Sequence, residues 1–174
     1  MNLYLRLFLL LFQLIGLPRR GLLEESRVSF RVLPTDCDIN FHMNNGRYLS
    51  LMDLGRVHLM QQLGAIRIMF RKKWMPVLAA ADINFIRQLA PFQKFDLVTR
   101  IVTWDEKYCY MEQRFESEGA LCAHAYVKGL FLQSGRRVAN SAVVTELGYQ
   151  ESAPPMPDEL RLWVELGNAK KQSA

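Results

Sequence analysis

The most informative part of the sequence runs from Thr35 to Tyr48 and reads TDCDINFHMNNGRY. It holds two acids, a histidine and several amide side chains, and an amphipathic segment from Gly46 to about Leu63 follows at once. The polar cluster therefore lies where a turn meets the N-terminus of a helix. The first backbone N–H groups of a helix lack partners within the helix and carry the positive end of its dipole, which stabilises a carboxylate or a developing oxyanion. This arrangement predicts that the stretch is a functional site.

The segment after the cluster has the periodicity of a long helix. Tyr48, Met52, Gly55 and Leu59 recur at intervals of three or four residues, so they share one face. Because glycine lowers helix stability, we expect Gly55 to mark a place where the helix approaches a sheet closely. Gly64 is the residue expected to end the helix.

Most of the remaining chain has the pattern of strands. Before the cluster, Arg27–Leu33 alternates apolar and polar residues, which predicts a first strand. The segment Pro76–Ile86 is largely apolar, so we expect a strand that is buried on both faces. The other expected elements are a short helical piece at 65–74, strands at 95–104, 108–118, 121–132 and about 138–146, a proline linker, and a short helix at 159–166.

The order of these elements predicts an α+β fold. Consecutive strands with short turns form an antiparallel sheet, and one long helix between the first strand and the rest packs across its face. Such a sheet leaves its edges in need of cover, so we expect a homodimer or tetramer. The expected organisation is a hydrophobic N-terminal segment at 1–24, one domain at 25–150, and a proline-containing linker with a C-terminal helix and tail at 151–174.

The chain begins with a strongly apolar segment, Met1–Leu17, which two arginines at 19 and 20 follow. Its apolar part is shorter than the about 20 residues that span a bilayer, and no small-residue cleavage site follows it. It could lie in a membrane interface, act as an uncleaved anchor, or form a helix that packs on the domain or on a second subunit. Because exposed leucines are a liability in water, we favour a membrane surface as the partner of residues 1–20.

Composition narrows the class of partner. The chain has 174 residues, of which 50% are hydrophobic and 22% charged, as in one soluble globular domain. A net charge of +5 favours an anionic partner, but aromatic and basic residues do not interleave as in base-stacking proteins, so no nucleic acid is expected. Three widely spaced cysteines without a C-x-x-C spacing indicate reduced thiols and no metal site. Reduced thiols are typical of the cytoplasm, so we expect a cytoplasmic protein, which is peripheral to the membrane if residues 1–20 bind there.

The cluster, the long helix and the strands resemble the hotdog-fold acyl-CoA thioesterase superfamily. The D-C-D pattern is similar to that of 4-hydroxybenzoyl-CoA thioesterases, whose second acid is catalytic, and the alternation of Asp38, Asn40 and His42 is similar to the plant acyl-ACP thioesterase pattern. The stretch LPTDCDINFHMNNGRY, the hydrophobic N-terminus and the ending PPMPDELRLW resemble the thioesterase superfamily member six branch. Where acyl-ACP enzymes use a further carboxylate, this chain has Gln88.

The resemblance implies an antiparallel sheet wrapped around one long central helix. It also implies hydrolysis of an acyl-CoA or acyl-carrier thioester near a subunit interface, with no metal and no bound cofactor. Asp38 would attack the carbonyl or activate a water, His42 would orient water or carbonyl, and Asn40 would position them through its amide. The groups expected to contact the substrate at the helix start are Asn44, Asn45, Gly46 and Arg47.

Each of these residues also has an ordinary structural explanation. Asp36 and Asp38 are residue types that cap turns, and Asn44 or Asn45 is a natural helix N-cap. We assign Asp36 to the turn and Asp38 to catalysis. The alternative function is a non-catalytic, membrane-tethered protein that binds acyl thioesters, and a third is a dehydratase.

Three further residues have side chains that could take part in catalysis, but their positions in the sequence favour structural roles. His58 falls on the buried stripe of the long helix, and His124 lies in a strand, so both are expected to be structural. Cys37 stands beside the cluster without an evident base that would activate its thiol, so we do not expect a nucleophile there.

Overall fold

A curled antiparallel sheet packs against one long helix, as the resemblance implies. The computed structural model describes residues 2–14 and 16–172. Its helices are α1 (Asn2–Gln13), α2 (Asn45–Gln62), α3 (Ala65–Lys72), α4 (Asn140–Glu146) and α5 (Asp158–Gln172), and its strands are β1 (Ser26–Arg31), β2 (Trp74–Phe85), β3 (Lys94–Trp104), β4 (Cys109–Ser117), β5 (Ala120–Gln133) and β6 (Arg136–Val138).

The strands pair in the order β1-β3-β4-β5-β2, and β6 pairs with β5. All of these pairings are antiparallel. Since β1 and β2 lie at opposite ends of this path, α2, which connects them in sequence, must cross the sheet. This confirms the predicted α+β fold with one long helix between the first strand and the rest.

The helix α2 buries its apolar face against the sheet. Met52 and Leu59 are nearly inaccessible and belong, with the sheet residues, to the core. At Gly55 a Cβ atom would lie 2.7 Å from Leu97 Cδ2 and 2.9 Å from Thr99 Oγ1. Because real Cβ atoms do not approach so closely, glycine is what permits this crossing, as the sequence predicted.

The N-terminal helix α1 packs on the domain. Leu10 and Leu14 are buried in the main core cluster, while the opposite face exposes Phe8, Leu9 and Phe12. Of the three arrangements considered from the sequence, the described part of this segment adopts a helix packed on the domain. Among the described residues, no helix combines the length and the hydropathy that crossing a bilayer requires.

The prediction that Pro76–Ile86 is buried on both faces is wrong. The corresponding strand, β2, exposes residues on both faces, including Met75, Leu78 and Phe85. It is an edge strand that pairs with β5 on one side. An apolar run predicts a strand, but the position of that strand in the sheet depends on long-range pairing, which the run does not encode.

The prediction of a last strand near residues 138–146 is also wrong. The strand β6 ends at Val138, and the following residues form the helix α4. Asn140 anchors this helix, because its side-chain amide donates to the carbonyl of Asp105 at 2.8 Å. Val143 then faces the interior. The C-terminal helix α5 is longer than predicted and includes most of the polar tail.

Candidate functional site

The polar cluster forms a short loop between β1 and α2. This loop, residues 36–44, is here called the site loop. A backbone bridge between Cys37 and Met43 closes its base. Next to this bridge, the Asn44 N–H donates to the Asp36 carbonyl at 2.9 Å. The loop therefore leaves and rejoins the domain at one place, directly before α2 begins.

Asp38 stands just beyond the closed base of the site loop and is half-buried. Its Oδ1 accepts the Asn40 N–H at 2.9 Å, and its own N–H donates to the His42 carbonyl at 3.0 Å. The structure thus places Asp38, Asn40 and His42 in one turn, as the sequence predicted. One carboxylate oxygen of Asp38 also shapes this turn.

The tip of the site loop is apolar and conformationally unusual. Phe41 has a φ of 58°, in the left-handed region that bulky side chains seldom adopt. Its side chain is 77% exposed, and that of Ile39 is 92% exposed. Backbone conformations of this kind cluster at functional sites, and the two apolar side chains flank the carboxylate-bearing turn.

The start of α2 is capped by Asn44. Its Oδ1 accepts the Gly46 N–H at 2.9 Å, and its carbonyl accepts the Arg47 N–H at 2.8 Å. Asn44 therefore has the capping role, and two of the first amides of the helix are engaged with it. The Arg47 side chain turns toward the loop base, where its Nη2 donates to the Thr35 carbonyl at 3.2 Å.

Asp36 is buried beneath the site loop, with a side chain that is 3% exposed. Its Oδ2 accepts the Leu33 N–H at 2.8 Å, which is the turn role predicted for it. The same oxygen accepts a hydrogen bond from Arg6 Nη2 of α1 at 2.5 Å. Sequence reasoning missed this contact; the available signal was an isolated charge in an apolar segment.

The remaining candidates are structural. The His58 Nδ1 lies 2.7 Å from Ser26 Oγ inside the domain, and burial lowers the pKa of His58. The His124 Nε2 lies 2.8 Å from a Glu112 oxygen on the other face of the sheet. Burial raises the pKa of the Cys37 thiol, which disfavours the nucleophilic thiolate. These findings agree with the roles expected from the sequence.

The helix α2 and the strand β2 lie side by side, and the strip of surface between them is here called the groove. Near the loop, the buried Tyr48 ring of α2 lies 5.0 Å from the Phe85 ring at the end of β2, and burial raises the pKa of Tyr48 to about 12. Farther along the helix, Leu49 and Asp53 are exposed on the side of α2 that leads to the cavity described next. Since the beginning of β2 borders the far half of α2, the strand accompanies the helix from one end to the other.

An apolar cavity of about 250 Å³ lies beneath the C-terminal half of α2. Its wall carries one charged pair, in which Arg56 donates to Asp53 and also to Gln113 Oε1, the latter at 2.8 Å. Because Arg56 is already hydrogen-bonded to protein groups, an apolar ligand in the cavity would leave few polar groups without a partner. Lining residues from α2, β2, β4 and α4 include Val57, Met60, Val77, Leu78, Met111 and Val143.

Comparisons with known proteins identify the family of the chain. The Thioesterase-like superfamily profile matches residues 32–164. Protein THEM6 of Danio rerio is 32% identical over 163 residues, which cover 90% of this chain and 77% of that protein. The probable thioesterase YBR096W of Saccharomyces cerevisiae is 33% identical over 108 residues, covering 60% of this chain and 46% of the relative.

A solved structure supports the fold. The gentisyl-coenzyme A thioesterase BH1999 superposes with a TM-score of 0.59 at 22% identity, over 68% of this chain and 97% of that protein. The profile and the thioesterase-named relative from yeast support thioester hydrolysis as the general class of activity. The chain belongs to the thioesterase-like superfamily and has the hotdog fold.

Proposed function

We propose that the chain hydrolyses acyl-CoA or acyl-carrier thioesters to free acid and thiol, with Asp38 as base or nucleophile. The observation that carries this proposal is the position of Asp38, half-buried in a tight turn beside the first residues of α2. Its Oδ1 holds the turn, so Oδ2 is the oxygen assigned to chemistry. In this proposal the carboxylate works near the positive end of the helix dipole, where a thioester oxygen would also be stabilised.

In the proposed reaction, Asp38 Oδ2 either attacks the thioester carbon or takes a proton from a water that attacks it. The C–S bond then breaks, the thiolate leaves and accepts a proton, and the acid is released; after direct attack, water first cleaves the acyl-aspartyl anhydride. Because Asn44 engages the Gly46 and Arg47 amides, we assign oxyanion stabilisation to the Asn45 N–H. His42 and Asn40 orient the water or the carbonyl.

The groove beside α2 and the cavity beyond it suit an acyl chain. Asp53 at the cavity wall lies eight positions after Asn45, a rise of about 12 Å along the helix axis. Short acyl groups would end within the groove, and longer chains would reach the cavity. The proposed substrate is therefore an acyl thioester whose chain gains apolar contact as it lengthens.

A second copy of the chain is the proposed cover for β2. This edge strand of 12 residues exposes both faces and borders the groove. Long exposed edges are templates for pairing with another chain, so we propose a homodimer or a homotetramer. Light scattering of the purified chain should give at least twice the monomer mass; a monomer would contradict this part of the proposal.

We also propose that the outer face of α1 rests on a membrane surface. Phe8, Leu9 and Phe12 are each more than half exposed on this face. Because the inner face of α1 is part of the core, deleting the helix would also disturb the domain. The informative variant is the double substitution Phe8→Ser and Phe12→Ser, which should weaken co-sedimentation with anionic vesicles; unchanged sedimentation would contradict the assignment.

One observation favours the second candidate function, non-catalytic binding of acyl thioesters. Asp38 Oδ1 caps its own turn through the Asn40 N–H, which gives the carboxylate a structural role that requires no chemistry. The test is thiol release from a panel of acyl-CoAs of increasing chain length. Turnover by the native chain supports hydrolysis, whereas saturable binding without turnover on any member of the panel supports the binding protein.

A further inference from the structure

The helix α1 carries a buried charge on its inner face. Arg6, Leu10 and Leu14 are spaced four residues apart and are 8%, 2% and 5% exposed, so they form one stripe directed into the domain. The two leucines join the main apolar core. The arginine continues the same stripe to the place where the site loop begins.

Burial of a guanidinium is costly unless it is paired and hydrogen-bonded. Burial lowers the pKa of Arg6, and the neighbouring Asp36 carboxylate opposes that change. Arg6 Nη2 donates to Asp36 Oδ2 at 2.5 Å and to the Arg31 carbonyl at 2.8 Å. The guanidinium also lies over the Phe30 ring, 5.9 Å from its centroid. Arg6 is therefore held by contacts from β1 and from the site loop together.

Asp36 is hydrogen-bonded to the chain on both sides of the site loop. Its side chain accepts the Leu33 N–H, which fixes the chain as it leaves β1. Its carbonyl accepts the Asn44 N–H, and Asn44 is the cap of α2. Arg47 Nε is 3.9 Å from the other carboxylate oxygen and its side chain is far more exposed, so it is a weaker partner.

We infer that Arg6 is a positioning residue for the site: through Asp36 it holds the closed base of the loop that presents Asp38 and His42 beside the start of α2. This inference rests on the proposed function. It makes the N-terminal helix part of the support of the site, because the loop keeps its geometry only while α1 is docked.

The test compares Arg6→Met with the native full-length chain. The substitution removes the charge and leaves the Asp36 carboxylate buried with its closest cation gone. A small displacement of a catalytic group is sufficient to slow chemistry about 100-fold. In acyl-CoA hydrolysis, kcat should fall about 10- to 100-fold while KM changes less than about threefold, because the acyl groove is intact.

A second readout does not depend on activity. Amide hydrogen exchange at Leu33 and Asn44, whose N–H groups donate to Asp36, should speed up at least about tenfold in Arg6→Met, with no change at amides of the central strands. Arg6→Lys keeps the charge but lacks the planar guanidinium group that donates to two partners at once. This variant should give intermediate values of kcat and of amide exchange. If Arg6→Met does not fold, the lysine variant carries the same comparison.

The matched control is Arg161→Met, which removes an arginine from an exposed ion pair with Asp158 on α5 and should leave kcat and the exchange of both amides unchanged. Native kcat and native exchange at Leu33 and Asn44 in the folded Arg6 variants would overturn the inference. Faster exchange throughout the chain would also overturn it, because it would indicate a general loss of stability. If the native chain hydrolyses no thioester, the proposed function fails, and the exchange measurement alone decides whether Arg6 positions the loop.

Discussion

The two ends of α2 differ in how they are built. At the N-terminal end, short-range backbone bonds, the Asn44 cap and a buried charge pair hold a polar turn whose tip is open to solvent. At the C-terminal end, apolar side chains enclose a cavity. The N-terminal end therefore controls the position of reacting groups, and the C-terminal end controls the area of apolar contact. Substitutions at the first should change the rate of chemistry, and substitutions at the second should change the preference among acyl chains.

The largest predicted effect on stability lies away from both ends, at Glu112. Burial by itself raises the pKa of Glu112, but hydrogen bonds from His124 and Arg100, together with the charges of Arg100 and Arg114, hold it at about 2. Its ordinary value is 4.5, so the ion cluster stabilises the fold above about pH 4.5, and this stabilisation is lost as the pH falls toward 2. Glu112→Gln should lower the free energy of unfolding at pH 7 by about 3 kcal/mol.

The check is chemical denaturation of both proteins between pH 2 and 7. The native chain should lose stability faster than Glu112→Gln as the pH falls from about 4.5, so the two curves converge. Glu165→Gln, on the exposed face of α5, serves as the control and should follow the native curve. If the free energies of unfolding of Glu112→Gln and the native chain change with pH in parallel, the charge of Glu112 does not stabilise the fold.

The middle of α2, which joins the two ends, should be sensitive to added volume. In Gly55→Ala the new methyl would meet Leu97 and Thr99 at less than 3 Å, and overpacking of this kind costs about 2 kcal/mol. Gly167→Ala in α5 is the matched control, because its nearest neighbour would be 3.6 Å away. Thermal unfolding should show a clear loss for the first variant and none for the second. Equal midpoints would mean that the helix can move away from the sheet at little cost.

A smaller effect is expected at the cavity. Val143→Phe should fill part of the space and reduce kcat/KM for long acyl chains relative to short ones about tenfold, or about 1.4 kcal/mol. The control is Ala142→Phe, an exposed position on the same helix. Hydrolysis of a short and a long acyl-CoA by each variant gives the ratio directly. An equal change in kcat/KM for the short and the long acyl-CoA would mean that the cavity does not bind the acyl chain.

Much of the fold followed from local patterns in the sequence. The long helix, the cap at Asn44, the close crossing at Gly55 and the helix end at Gly64 each depend on residues near one another in the chain. The grouping of Asp38, Asn40 and His42 followed from one short turn. These features were predicted because their causes are local.

The features that were not predicted depend on contacts between distant parts of the chain. The exposure of β2 follows from its place at the end of the sheet, and α4 is fixed by Asn140 reaching back to Asp105. The pairing of Arg6 with Asp36 joins residues 30 positions apart. Hydrophobic periodicity contains none of this information, since it describes which residues are apolar and not which elements become neighbours.

In the proposed function, the Asp38 carboxylate performs the chemistry at the start of α2. The most direct test is thiol release from acyl-CoA by Asp38→Asn, with Asp105→Asn as control, because Asp105 also caps a turn through the Lys107 and Tyr108 amides but lies outside the site loop. We predict a loss of kcat of at least about 100-fold for Asp38→Asn and less than about twofold for Asp105→Asn. Native turnover in folded Asp38→Asn would contradict the account.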